Sequence, residues 1–291
     1  MTWWRRSHEA LTEEQRVALK ALVAEAKFEL IPMKSAAEKA TGLPPRSVVT
    51  VTASPTHVIE ATFDLAETVA AMGHEVVPHL AAHMIRDRAH LGELLARARA
   101  GGLTKAFVVG GDAAEHGQFG DALALLRAMD EMGHPFTQVG VTAFPDGHVE
   151  IPEDVLLRSL KDKQPFAHYM ATQMCFDPGA VASWLVRIRG EGITLPVHLG
   201  TPGVAEVTKL VSIGARIGVG DSVRYLKKHR KMVGTLMKNG SFGPDAFLRA
   251  LAPSLADERA DIEALHLFTF NQVEGTVAWQ QQMLGVLGAA S

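Results

Sequence analysis

Lys105-Ala106-Phe107-Val108-Val109-Gly110-Gly111-Asp112 is the stretch on which the fold turns. Five residues rich in β-branched and aromatic side chains, followed by two glycines able to make a tight turn, predict a short buried strand with an abrupt end. The amphipathic stretch from Gly120 to Met132 behind it predicts a helix. A strand followed by a covering helix is the unit of a parallel sheet, and the same unit recurs in both directions along the chain.

Upstream lie Phe28-Glu29-Leu30-Ile31, then Val48-Val49-Thr50-Val51-Thr52 with a helical stretch from Val58 to Met72, then Glu75-Val76-Val77-Pro78-His79. Downstream lie Gln138 to Ala143, helical sequence between Pro152 and Lys163, and further apolar runs at His168 to Phe176, Leu195 to Leu199 and Leu265 to Phe270. That makes eight runs. Eight parallel strands with helical crossovers in 291 residues fit a closed (β/α)8 TIM barrel. The open dinucleotide-binding alternative needs a Gly-x-Gly-x-x-Gly turn after its first strand, and nothing after Ile31 supplies one. The glycine-rich Gly214 to Gly220 comes too late for that role and reads as a loop.

Before the first run, Leu11 to Ala24 has helical periodicity, with Thr12 placed to cap it and Glu13 and Glu14 in the first turn. The expected organisation is one barrel domain over 1–291, with 1–25 as an N-terminal helical extension. The region from Val204 to Leu251 reads as mainly helical, and its part from Gly220 to Leu251 as covering the barrel bottom or forming an oligomer contact, which leaves association into a homo-oligomer open.

The charges, Lys+Arg 29 against Asp+Glu 32, give a net −3, which provides no field to attract a phosphate backbone, so nucleic acid is not an expected partner. The basic run Arg224 to Lys231 reads as a solvated helix face. A single cysteine, Cys175, rules out an internal disulfide and fits a reducing compartment, so the expected location is the cytoplasm. No apolar run approaches the ~20 residues needed to cross a bilayer, so no membrane partner is expected.

A TIM barrel gathers its chemistry at the C-terminal ends of its strands. Glu29 falls in or near the end of the first strand, Thr52 ends the second, His79 the third and Asp112 the fourth. Asp146 and His148 follow the fifth, Gln173 lies late in the sixth, and Asn271 follows the eighth. These residues should converge on one rim. Carboxyl groups beside an amide and a histidine suit proton transfer next to a polar heterocycle. Each also has a structural reading: Glu29 as half of an internal ion pair, Asp112 as a turn cap, Gln173 as an interior amide, His148 as an ordinary loop residue. His79 and His83, four apart, lack a helical or Cys-x-x-Cys context, so no metal site is expected.

Several motifs together resemble the methylenetetrahydrofolate reductase family. Phe28-Glu29-Leu30-Ile31-Pro32-Met33-Lys34 is similar to the family's first strand, and Gly110-Gly111-Asp112 to its Arg-Gly-Asp. Phe144-Pro145-Asp146-Gly147-His148-Val149-Glu150 resembles its Tyr-Pro-Glu-x-His-Pro-Glu. Thr172-Gln173-Met174-Cys175-Phe176-Asp177 and His266-Leu267-Phe268-Thr269-Phe270-Asn271 resemble the sixth and eighth strands.

The resemblance implies a barrel in which NADH or NADPH reduces a bound FAD, and hydride then passes to 5,10-methylenetetrahydrofolate to give 5-methyltetrahydrofolate. Glu29 and Asp112 would be the catalytic residues, Glu29 as the acid that helps open the folate ring. Gln173, Asp112 and Asn271 would bind substrate, and Thr52, His79, Asp112, His148 and Lys163 the cofactor. The sequence departs from the family where Gly110 stands for arginine, Ala81 for the threonine after His-Leu, Ala53-Ser54-Pro55 for Tyr-Gly-Ala, and Gln272 for arginine. A second route therefore stands beside the flavin one: direct hydride transfer from nicotinamide. The rival readings are a folate-dependent methyl-transfer or demethylation protein without redox chemistry, and a non-catalytic pterin- or flavin-binding subunit.

Overall fold

The computed structural model describes residues 11–54, 56–111, 116–148, 150–206 and 241–289. Eight strands close into an all-parallel barrel. They are β1 (Lys27–Leu30), β2 (Val48–Val51), β3 (Glu75–Ala81), β4 (Lys105–Val109), β5 (Gln138–Ala143), β6 (Tyr169–Thr172), β7 (Val197–Pro202) and β10 (Ile262–Phe268). The order around the barrel is β1-β10-β7-β6-β5-β4-β3-β2, so the first and last strands close the seam. Between β7 and β10, a short antiparallel ribbon pairs β8 (Ala205–Glu206) with β9 (Ser241–Phe242).

The helices follow the strands: α2 (Ala36–Ala40), α3 (Ile59–Ala71), α4 (Arg88–Ala100), α5 (Ala122–Met132), α6 (Glu153–Lys163), α7 (Pro178–Gly190), α8 (Asp245–Leu255) and α9 (Val273–Gly288). Aspartates make the strand-to-helix turns. Asp87, Asp121 and Asp177 accept hydrogen bonds from the first free backbone N–H groups of α4, α5 and α7, which fixes where each helix starts on the C-terminal rim. The expected extra helix is α1 (Glu13–Ala24), begun by a capping box in which Thr12 and Gln15 exchange hydrogen bonds. Gln280 Nε2 donates to the Val23 carbonyl at 2.8 Å and Arg16 Nη1 to that of Leu287 at 2.7 Å, tying α1 to α9.

Outward-facing strand residues such as Phe28, Leu30, Val49, Val51, Leu265 and Leu267 bury fully under the helices. The alternate positions face the interior. That interior is packed, and two glycines make room: a β-carbon at Gly140 would overlap the Tyr169 ring, and one at Gly200 the Thr172 carbonyl oxygen.

Two expectations are corrected. β3 does not end at His79 but continues to Ala81, because Leu80 and Ala81 remain in register with Val108 and Val109. β6 stops at Thr172 rather than running to Phe176. There the Gln173 side chain takes the Met174 N–H and Asp177 caps α7, so side chains replace the ladder. Of the region from Val204 to Leu251, expected to be mainly helical, the described residues 204–206 and 241–251 hold the β8–β9 ribbon and the start of α8, and the rest lies outside the described residues. The stretches Gly214 to Gly220 and Arg224 to Lys231 lie outside the described residues.

Because the atom in the way at Gly200 is backbone, Gly200→Ala is expected to destabilise the barrel by about 1–3 kcal/mol or more and to lower Tm by several degrees. An unchanged Tm would mean that the β6–β7 junction relaxes freely.

Candidate active site

The site forms where β1 and β10 close the barrel. Glu29 stands level with Thr50 on one side and Phe268 on the other. Just beyond β10 the chain makes a tight clamp on β1. Thr269 Oγ1 donates to the Glu29 carbonyl at 2.5 Å, and the Asn271 amide donates to the Ile31 carbonyl and accepts from the Ile31 N–H, both at 2.9 Å. Phe270 and Asn271 hold left-handed backbone (φ 50° and 58°), a conformation that costs a non-glycine residue energy and persists where the surroundings impose it.

Inside that clamp the Glu29 side chain points into the barrel and is 9% exposed. Its Oε2 lies 3.0 Å from Nε2 of His266 on β10 and 3.9 Å from Nε2 of His79 on β3. Both imidazoles are buried, and His79 Nε2 has no hydrogen-bond partner among the described residues. Burial pushes the His79 pKa down to about 4; the Glu29 carboxylate opposes that shift and His266 adds to it. His79 is therefore neutral at physiological pH.

Aromatic rings surround the carboxyl. His79 tilts against Phe107 at 4.8 Å, His266 against Phe268 at 4.8 Å, and Phe107 stacks near Tyr169 at 6.2 Å. Toward the N-terminal end of the strands the interior is ionic. Lys27 Nζ sits 3.0 Å from His198 Nε2, and Glu263 Oε2 lies 3.8 Å from the same nitrogen. Burial, then Lys105, lowers the Lys27 pKa to about 8, and burial is the main cause that takes His198 to about 4. The upper interior thus holds a carboxyl group in an aromatic-walled cup.

The expected site residues divide. Glu29 and His79 come together inside the barrel. Gln173 lies just after β6, half-buried, its amide oxygen taken by the Met174 N–H at 2.8 Å. Thr52 lies just past β2, its hydroxyl on the Ala53 carbonyl. Asn271, expected as a substrate ligand, clamps the seam: both its amide atoms engage Ile31 and it is 2% exposed. His148 braces its own loop, accepting from the Glu150 N–H and meeting Phe144 edge-on. With Pro145, Asp146, Ile151 and Asp177 it lines a recess of about 460 Å³ between the loops after β5 and β6. Lys163 lies at the end of α6 and donates to the Thr142 carbonyl at 3.4 Å; at 5% exposure it does not meet solvent as a phosphate ligand would. Asp112 lies outside the described residues.

His266 was missed as a site residue although its motif was visible. The available signal was its place two residues before Phe268, on the same face of a strand whose next neighbour carries Glu29.

The fold is a (β/α)8 TIM barrel whose interior holds a buried carboxyl between two imidazoles. Residues 32–222 match the methylenetetrahydrofolate reductase family, and the chain belongs to that family. Membership makes it, in outline, a folate-related reductase and an oxidoreductase. Among solved structures, a candidate phosphonomutase from Burkholderia cenocepacia J2315 is similar at 14% identity and TM-score 0.43, over 78% of this chain and 100% of that one. The spore cortex-lytic enzyme SleL of Bacillus cereus is similar at 12% identity and TM-score 0.46, over 91% and 74%. Likeness at that level says nothing about activity.

The family is associated with flavin, which raises the question of fit. Of the expected flavin-side residues that are described, Thr52 and His148 are bonded to their own loops, His79 faces Glu29, and Lys163 is enclosed. Gly110 brings no side chain where the family has a cation for the diphosphate. These residues do not fit a bound flavin nucleotide.

Lys163 gives a stability test. Burial, opposed by Asp121, lowers its pKa from the ordinary 10.5 to about 8. The unfolded chain keeps this proton up to about pH 10.5 while the folded chain releases it above about 8, so stability rises with pH across that window. Below it the fold bears the cost of a buried ammonium. Lys163→Met is expected to raise stability at neutral pH, by up to about 3 kcal/mol, with the gain shrinking as pH climbs toward 10.5. A gain that is absent or independent of pH in thermal melts would show that the ammonium is well paired in the folded chain.

Proposed function

We propose that this protein reduces 5,10-methylenetetrahydrofolate to 5-methyltetrahydrofolate, taking hydride directly from NADH or NADPH. The observation that carries the reading is Glu29: an acid buried in the mouth of the barrel, hydrogen-bonded to one imidazole and beside a second, neutral one. A scaffold that only bound pterin would have no use for it, and burying a carboxyl without a task is costly.

In this reading Glu29 delivers its proton to the nitrogen that leaves as the folate's five-membered ring opens. The C–N bond breaks, the methylene carbon becomes an iminium on the other nitrogen, and hydride from C4 of the dihydronicotinamide reduces it to methyl. Glu29 then regains its proton from solvent. Phe107 and Phe268 wall the cup and keep water from the iminium, which water would otherwise attack. Gln173 binds the pterin edge through its amide nitrogen, which has no acceptor among the described residues. Direct transfer is preferred to a flavin relay because the side chains that would hold a flavin are engaged elsewhere, and all members of the proposed proton path belong to this chain.

Two measurements test the proposal. Purified protein is expected to show no flavin absorbance and to oxidise NADH or NADPH with methylenetetrahydrofolate without added FAD. A flavin spectrum with FAD-dependent turnover would restore the flavin relay, and folate binding without nicotinamide oxidation would favour a non-redox folate protein. Glu29→Gln is expected to lower kcat by about a hundredfold or more with folding and folate affinity largely kept. Retention of most turnover would remove Glu29 from the mechanism.

A further inference from the structure

We propose that His266 is the positioning residue of the acid: its Nε2–H holds one oxygen of Glu29, so that the proton to be delivered sits on the other, and the same bond stabilises the carboxylate as the proton leaves. This rests on the reductase reading and deepens it.

The geometry assigns the roles. Glu29 Oε2 is 3.0 Å from His266 Nε2, a hydrogen-bond distance, whereas His79 Nε2 at 3.9 Å from the same oxygen is beyond one. A carboxylate can only accept, so whenever Glu29 is ionised the hydrogen is on His266. The pair is buried, with His266 3% exposed, and a charge-assisted hydrogen bond is stronger there than in water. Other polar groups face the pair from the surrounding strands: Lys27 from β1, His79 from β3, Tyr169 from β6 and His198 from β7, with Glu263 lower on β10 itself. Lys27 and Glu263 are directed at His198, and the Tyr169 ring stacks on His198 at 3.9 Å. Among the described residues, His266 alone donates a hydrogen bond to the Glu29 carboxyl.

Without that donor the carboxylate is less stable, so Glu29 holds its proton more tightly and releases it less readily. His266→Ala is therefore expected to lower kcat by roughly tenfold or more, with the KM for folate little changed. The alkaline limb of the kcat–pH profile, which reports loss of the acid's proton, should move upward by about one pH unit. His266→Gln keeps an N–H donor and is expected to recover much of the rate and the position of the limb. A residue that merely filled space would lower the rate without moving the limb, and glutamine would not rescue it.

The experiment pairs these profiles with infrared titration of the ligand-free protein, in which Glu29→Gln identifies the carboxyl band of Glu29. In His266→Ala that band should persist to higher pH than in the wild type, and in His266→Gln it should return toward it. If the alanine variant does not fold, the comparison rests on wild type, His266→Gln and His266→Met. A band whose titration ignores the residue at 266 overturns the proposal whatever the turnover. A band that moves in a protein without reductase activity supports the pair while sinking the reductase reading.

Discussion

Everything at the site depends on how the barrel closes. Asn271 and Thr269 lie 240 residues along the chain from the β1 backbone they grip, and their three hydrogen bonds fix the end of β1 against the end of β10. This sets the register that brings Glu29 beside His266. A slip of one residue would turn Glu29 out among the helices and place Phe28 or Leu30 in the barrel. The left-handed backbone at Phe270 and Asn271 is the local cost of that grip. Folding and chemistry thus share one constraint, since the bonds that close the cylinder also aim the acid.

Desolvation then decides what the enclosed groups do. Burial keeps His79 neutral, and at 3.9 Å it lies beyond hydrogen-bond reach of Glu29, which leaves His266 as the carboxyl's hydrogen-bonding partner among the described residues. The lower interior behaves differently, with buried His198 between half-buried Lys27 and the exposed Glu263, apart from the mouth. Two layers of one barrel thus use the same residue types for different ends. The difference is which end of the strands they occupy.

Much of the fold was legible because strands buried on both faces read as unbroken apolar runs. The runs at Lys105–Val109 and Gln138–Ala143 coincide with β4 and β5. Boundaries failed where side chains, rather than hydrophobicity, end a strand, as at Gln173 and Asp177. The ribbon at Ala205–Glu206 and Ser241–Phe242 was invisible, since two-residue strands carry no period. Glu29 stood out as an acid within an apolar strand. Asn271 did not reveal its role because its partner, Ile31, is adjacent only after closure, and His266 did not because one inward histidine looks like any other until the register is known. The family resemblance implied Lys163 as a cofactor ligand; its enclosure behind β5 is a property of helix packing.

The central claim is that hydride reaches the folate methylene carbon directly beside Glu29. The most direct test is turnover with nicotinamide carrying deuterium at C4 on the transferred face, followed by mass analysis of the folate product. The account predicts that the deuterium appears in the methyl group in full. A methyl group carrying solvent hydrogen instead would mean that the hydride had paused on an exchangeable carrier, and would contradict it.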